Sequence, residues 1–400
     1  MHNIILLIIF LVLNYLTVSI FKVSFGKAMP CTLAFCTVLM YLCGLIADLN
    51  LIYPIICVMM IISIYIFIKS LMLKNYREVF TNYFNISFFA FIIIYFAVII
   101  INYSRSFTFV DEFAHLGLMA KESYRLNELH IVDESMMWYN KEYPPFYSLL
   151  EVFFCKFVGT FSEGYCYRAL QLFSLSLLLP LFDKFSLKIK EMPKIAITLI
   201  SCFLIGMVIN FTDGMVYNTL FYNSIYLDLH IGFFLAYLFY LVYFFDFNSK
   251  FDYVNLSLMM SCFVLTKQIS IAFYFLVLVT FIIAHFSNLK NKEAIIKTLI
   301  VLLIPILFFI SWDIVVDYYL TEKKFDVSSY NFFFFIDYFK GDMYKWQIDA
   351  VNNFFKAIFN RPLIVKPFNL SYLGVLIINS LLIMATSIIN KDVKKKAIYS

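Results

Sequence analysis

A chain of 400 residues that is 63% hydrophobic and only 14% charged has too little charge to cover a soluble globule of its size, so it reads as an integral membrane protein. Its net charge of +5 sits in short lysine clusters between apolar runs, where such charge sets membrane topology; nucleic acid is excluded as a partner. The eight cysteines, at 31, 36, 43, 57, 155, 166, 202 and 262, lie in or beside apolar segments without CxxC spacing, so packing is their expected use.

The fold class expected is all-α: a polytopic membrane protein of about 11 transmembrane helices. Runs suited to spanning cover 3–21, 31–47, 51–68, 86–103, 166–182, 195–211, 226–245, 254–267, 269–286, 298–312 and 370–389. Such runs match a hydrocarbon core of roughly 30 Å at about 1.5 Å rise per residue. The first run lacks the basic start and small-residue cleavage site of a signal peptide and is read as a span. Three divisions are expected: N-terminal spans over 1–85, a core over 86–312 that carries the loop 104–165, and a basic, aromatic segment with a final span over 313–400.

Orientation follows from four basic clusters: Lys69, Lys74 and Arg77; Lys184, Lys188, Lys190 and Lys194; Lys290, Lys292 and Lys297; Lys391, Lys394, Lys395 and Lys396. Placed in the cytoplasm, they put the N-terminus, the 104–165 loop and the 212–223 turn outside. One choice decides this scheme. The run 146–160 carries Glu151 and Lys156 and is short for a span, so it is read as a juxtamembrane helix in the membrane interface. A second interfacial helix is expected over 111–127, where Phe113, Leu116, Leu118 and Met119 alternate with polar positions. The composition, rich in Ile, Phe, Asn, Lys and Tyr, suggests an AT-rich, bacterial genome, and the expected location is the plasma membrane, multi-pass, with an extracytoplasmic active face.

The outward loop concentrates the chemistry, because ionisable groups beside long spans are costly and point to function. Asp111-Glu112 follows a span, where partial burial would raise a carboxylate's pKa toward that of a general base; an ordinary charge at a helix N-terminus is the alternative. At 100° per residue Asp111, His115 and Glu122 share one helix face and are the candidate ligands of a divalent cation, manganese, magnesium or zinc. A histidine paired with a carboxylate is the alternative. Tyr143-Pro144-Pro145 breaks the chain and opens the next helix. Arg168 and Lys267 are candidate phosphate donors, the latter in a hairpin between spans, with snorkelling as the alternative. Asp213 and Asp228 flank the second outward turn.

With these residues in view, the chain resembles the GT-C superfamily of membrane glycosyltransferases, which includes protein O-mannosyltransferases and aminoarabinose transferases. The resemblance covers roughly 86–285 and rests on Asp111-Glu112 after a span, Tyr143-Pro144-Pro145, Arg168 and Thr266-Lys267. It implies catalytic roles for Asp111 and Glu112, donor-phosphate binding by Lys267 and Arg168, and an acceptor or loop site at His115, Tyr143, Pro144, Pro145 and Asp213. The implied partners are a polyprenyl-linked sugar donor, the lipid bilayer, and a glycan, lipid or protein acceptor in cell-surface polysaccharide or glycoconjugate assembly. The chain departs from the family in placing three spans before the one that the acidic pair follows. A polysaccharide polymerase or ligase of another membrane family, or a flippase without chemistry, remains the rival expectation. A transporter, however, would set paired charges at the bilayer midplane.

Overall fold

The computed structural model of the protein describes residues 2–72, 76–186, 188–205, 220–286, 292–320, 340, 345–360, 362–364, 370–371, 373–374 and 377. These divide into two compact units, Met1–Gly206 with Thr219–Thr321, and Met207–Asn218 with Glu322–Ser400. In the first, α1 (His2–Phe21), α2 (Phe25–Leu45) and α3 (Ile52–Met72) are followed by the bent pair α4 (Tyr76–Tyr83) and α5 (Ile86–Ile101). The polar segment then forms α6 (Gly117–Leu126), which leads to α7 (Phe146–Val158) and α8 (Glu163–Ser176). Next come α9 (Met192–Ile205), the single turn α10 (Leu220–Asn223), α11 (Leu227–Tyr243), α12 (Lys250–Val264), α13 (Ser270–His285) and α14 (Lys292–Leu320). In the second unit α15 (Lys345–Asn360) precedes two short antiparallel strands, β1 (Pro362–Ile364) and β2 (Leu370–Ser371).

No other strand is formed among the described residues, and four helices among them are long and apolar enough to cross a membrane: His2–Phe21, Phe25–Leu45, Leu49–Met72 and Ile295–Leu320. Arg77–Tyr83 with Ile86–Ile101, bent by 41°, makes a fifth if the pair is one span. The expectation of a multi-pass helical membrane protein is met in part, with four or five candidate spans among the described residues where about 11 were expected. The runs at 166–182 and 254–267 fold as α8 and α12, helices of 14 and 15 residues, which at about 1.5 Å per residue fall short of the roughly 30 Å core. α11 and α13 are apolar but also short, at 17 and 16 residues. The runs 195–211 and 370–389 extend outside the described residues.

α7 departs furthest from its expectation. It is enclosed on nearly every side, packing against α1, α2, α6 and α8, with Phe10 of α1 against Phe153 and Phe154 at 5.9 and 5.3 Å. Every residue of the helix but Phe157 is buried, so it has no broad face for lipid. The two charges that argued for the interface are accommodated within the protein. Lys156 donates to Asn50 Oδ1 and Asn127 Oδ1 at 2.8 and 2.5 Å, and burial pushes the Glu151 carboxyl well above its usual range, so it packs as the neutral acid. The helix stops at Gly159, whose φ of 85° suits glycine at the left-handed position after a helix; its amide closes on the Cys155 and Lys156 carbonyls.

The expected divisions also shift. Residues of α1–α4 share one apolar core with α5–α14, so 85/86 is no domain boundary, and 312/313 falls within the continuous helix α14. Two ends of the bundle can nevertheless be told apart. At one, Asp183 accepts from Ser24, Ser87 and Asn85 at 2.6, 2.6 and 2.9 Å, Asn82 donates to the Lys22 carbonyl, and Phe21 meets Phe251. The clusters around Lys69, Lys184–Lys194 and Lys297 belong to this end; the cluster at 391–396 lies outside the described residues. At the other end Leu49 donates to the Asn127 carbonyl at 2.7 Å, and the polar segment 104–145 gathers there.

Candidate functional site

Glu112 is the fixture from which the polar end is built. Fully buried, its carboxylate accepts from the amides of Thr108 and Phe109 at 2.7 and 2.9 Å and from that of Ile225 at 2.8 Å. The Tyr167 hydroxyl donates to it at 3.0 Å. Buried carboxylates persist where their oxygens are saturated in this way. One side chain thereby joins the turn before Asp111, the start of α8 and the segment leading into α11. Its oxygens are all engaged, and it is Asp111 next to it that stands exposed.

The backbone from Glu112 to Leu116 forms one π turn before α6. A π turn is wider than an α turn and shifts the phase of everything beyond it. Asp111 and His115 stay within electrostatic reach of one another, but Glu122 rotates away. Glu122 instead receives Arg125 at 2.7 Å and the Met136 amide at 2.9 Å. Burial would raise its pKa, yet these bonds outweigh that and hold it below the usual carboxylate range. The three proposed cation ligands are therefore not brought together, and among the described residues no group of three ligating side chains forms a metal site.

Three other segments meet Asp111 or His115. Tyr226, at the N-cap of α11, is in hydrogen-bonding reach of the Asp111 carboxylate and packs on Phe109 at 5.5 Å. Tyr143 and Tyr139 flank the His115 ring at 5.5 and 6.3 Å. Lys267 donates to Asp228 at 2.7 Å and lies within hydrogen-bonding reach of Tyr143. Asp111, Lys267 and Glu142 all act electrostatically on His115. The His115 Nδ1 is enclosed and has no hydrogen-bond partner among the described residues.

The backbone explains why these residues meet. Pro144 and Pro145 end the loop, and the first amide after them, Phe146, donates to the Leu265 carbonyl at 2.9 Å. This ties the α7 start to the α12–α13 hairpin and sets Tyr143 beside Lys267. Behind Tyr143, His130 Nε2 bonds the Lys141 carbonyl at 3.1 Å, and Trp312 Nε1 donates to the Glu142 carbonyl at 3.0 Å. The His130 and Trp312 rings also pack in a tilted arrangement at 5.7 Å. Thr266, buried in the hairpin, bonds the Phe263 carbonyl and Ser270, so Lys267 leaves a rigid turn.

The electrostatics suit proton and anion handling. Burial lowers the His115 pKa below the usual imidazole value; Asp111 opposes this, Lys267 reinforces it and Glu142 opposes it, and the ring is neutral at neutral pH. Burial alone would lower the Lys267 pKa, but the bonds to Asp228 and Tyr143 raise it, so the ammonium stays charged. The site thus holds an exposed carboxylate, a neutral imidazole with a free nitrogen and a fixed cation.

Of the residues singled out in the sequence, Asp111, His115, Tyr143 and Lys267 are brought together, with Pro144 and Pro145 buried behind them. No protein side chain encloses Asp111 among the described residues, and it is exposed at the protein's surface. Arg168 turns to a different groove, with Asn3, Asn102 and Tyr165, and Asp213 lies outside the described residues. Sequence reasoning underused Asp228 and missed Tyr226, Tyr139 and the clamp of His130 and Trp312. The signal for the first two was Tyr226-Leu227-Asp228 opening an apolar run; nothing in the sequence pairs residue 130 with residue 312. No protein-family model, no curated protein and no solved structure matches this chain.

Proposed function

We propose that the chain is a glycosyltransferase of the GT-C type, multi-pass in the plasma membrane, moving a sugar from a polyprenyl-phosphate or polyprenyl-diphosphate lipid to an acceptor hydroxyl at the extracytoplasmic face. The convergence of Asp111 and His115 with Tyr143 and Lys267, from three separate segments, at the end of the bundle opposite three lysine clusters carries this reading. Basic clusters mark the cytoplasmic side, so the site opens outward. The GT-C resemblance of Asp111-Glu112, Tyr143-Pro144-Pro145 and Thr266-Lys267 supports the same assignment.

In this reading the acceptor oxygen attacks the anomeric carbon as the bond from that carbon to the phosphate oxygen breaks. Asp111, with His115 beside it, takes the acceptor proton, and the Lys267 ammonium receives the charge that grows on the departing phosphate. Asp228 pairs with Lys267 until phosphate competes for it. Glu112 acts indirectly by fixing Asp111, and no step is routed through a metal.

The test is transfer from a labelled polyprenyl-phosphate sugar by the purified chain in liposomes. Asp111→Asn is expected to keep the fold and donor binding while lowering transfer about 100- to 10,000-fold. Lys267→Ala is expected to weaken donor binding as well. Near-normal transfer by Asp111→Asn would remove the catalytic assignment, and lipid-sugar translocation without transfer would favour a flippase.

A further inference from the structure

Two thiols meet where α7 turns into α8. Cys155 lies in the last turn of α7 and Cys166 in the first turn of α8, and both are fully buried. Their sulfurs converge on one atom, the Ser162 carbonyl oxygen, at 3.9 and 3.8 Å. The Cys166 thiol is also within hydrogen-bonding reach of the Cys155 sulfur and of Glu151, one turn earlier in α7. The shared carbonyl does not need either thiol, because the Tyr165 amide already donates to it at 2.9 Å and a thiol is a weak donor. Hydrogen bonding therefore does not account for a pair of sulfurs at this point.

The turn that carries them belongs to the polar end of the bundle. Glu163, at the start of α8, accepts from the Phe107 amide at 2.7 Å, and Lys156, beside Cys155, reaches Asn127. With the lysine clusters in the cytoplasm, that end lies outside. Disulfides form and persist in extracytoplasmic compartments and are rare in the cytosol. A bond from Cys155 to Cys166 would join two consecutive helices that already pack together. The remaining approach, to the roughly 2 Å of a sulfur–sulfur bond, is a movement of side chains already within reach of one another.

We propose that Cys155 and Cys166 are oxidised to an intramolecular disulfide on the extracytoplasmic side, a modification that locks the α7–α8 hairpin. The oxidant is a disulfide-bearing thiol oxidant of that compartment. One cysteine thiolate attacks a sulfur of its disulfide and expels a thiolate; the second attacks the mixed disulfide and expels the other. The two cysteines thereby lose two electrons and two protons, and the oxidant leaves as two thiols. Buried thiols form thiolate poorly, so the exchange precedes full burial: α10 and α11, which pack against α8, are made after the hairpin. Cys166 is followed by Tyr167, whose hydroxyl donates to Glu112, so the bond fixes the start of α8 before Ile225 is available. The proposal rests on the orientation of the bundle and not on the glycosyltransferase reading.

The unaltered full chain is expressed to the membrane and the cells are quenched in acid, which protonates thiolates and stops exchange. The protein is then denatured in N-ethylmaleimide without reductant, digested and mapped by mass spectrometry. A linked peptide joining positions 155 and 166 is expected, with maleimide on the six other cysteines and loss of label at these two. Reductant added before the maleimide should restore label at both. Cys155→Ala should leave Cys166 open to maleimide without reductant, whereas Cys262→Ala should leave the linked peptide in place. Maleimide on both Cys155 and Cys166 of the unaltered chain without reductant would overturn the proposal, and so would a linked peptide that pairs either with a different cysteine. The deciding measurement uses the unaltered chain, so it does not depend on the folding of a variant.

Discussion

Replacing Glu112 by Gln tests the claim that this carboxylate fixes the site without taking part in chemistry. Both oxygens now accept: one from Thr108 and Phe109, the other from Ile225, with Tyr167 donating between them. A glutamine keeps one acceptor oxygen and turns an amide donor toward a buried N–H. The loss is one charge-assisted bond, worth about 1.5–3 kcal/mol, plus an unsatisfied buried donor at about 1–3 kcal/mol. A destabilisation of about 3 kcal/mol or more is expected, read as a lowered midpoint of thermal or denaturant unfolding in detergent. Glu112→Asp keeps the charge but is one methylene too short to span the turn before Asp111 and the Ile225 amide, so it should be damaged too. A catalytic carboxylate behaves in the opposite sense, because its removal is usually neutral for stability or improves it. Unchanged stability in Glu112→Gln together with lost transfer would refute the argument and return Glu112 to the chemistry.

Two further expectations use other parts of the polar end. Burial holds the His130 pKa at about 4, from 6.5, so the unfolded chain binds the extra proton between those values and stability present above pH 6.5 is lost as pH falls toward 4. The loss is on the order of 3 kcal/mol, and the acid limb of unfolding should flatten in His130→Gln; an unchanged limb would show that another group is responsible. For sidedness, cysteine placed at Ser162 should react with an impermeant thiol reagent from outside whole cells and cysteine at Ser186 should not. Labelling of the Ser186 position from outside would invert the orientation and with it the face to which the site opens.

Much of the frame was legible because it depends on local rules. The apolar runs at 3–21, 31–47 and 51–68 became α1, α2 and α3 within a few residues, and the Pro-Pro pair opened α7 as the missing amide donor predicts. Asp111 and His115 stayed together because positions four apart remain neighbours even through a wider turn. Glu122 was lost because helical phase was extrapolated across a π turn that no residue type announces. Lys267 and Arg168 looked alike in sequence, each a lone cation beside an apolar run. Which way such a side chain points is decided by packing: Tyr167 faces Glu112, while its neighbour Arg168 faces α1 and α5. α7 was misplaced for a related reason, since Glu151 and Lys156 signalled water only if nothing inside the protein could receive them.

The bond from Ile225 to Glu112 crosses 113 residues of sequence, which gives the polar end a place in the order of synthesis. Contacts of such separation form late, after the intervening chain has been made and inserted. Until Ile225 is available, Glu112 lacks that backbone donor and the turn bearing Asp111 has no fixed position against α11. Lys267 comes later still, and the tie between Phe146 and Leu265 must wait for it. A chain halted before the α12–α13 hairpin would therefore carry helices in the membrane but no assembled centre, so an arrested intermediate would be inert until its last contributor is in place.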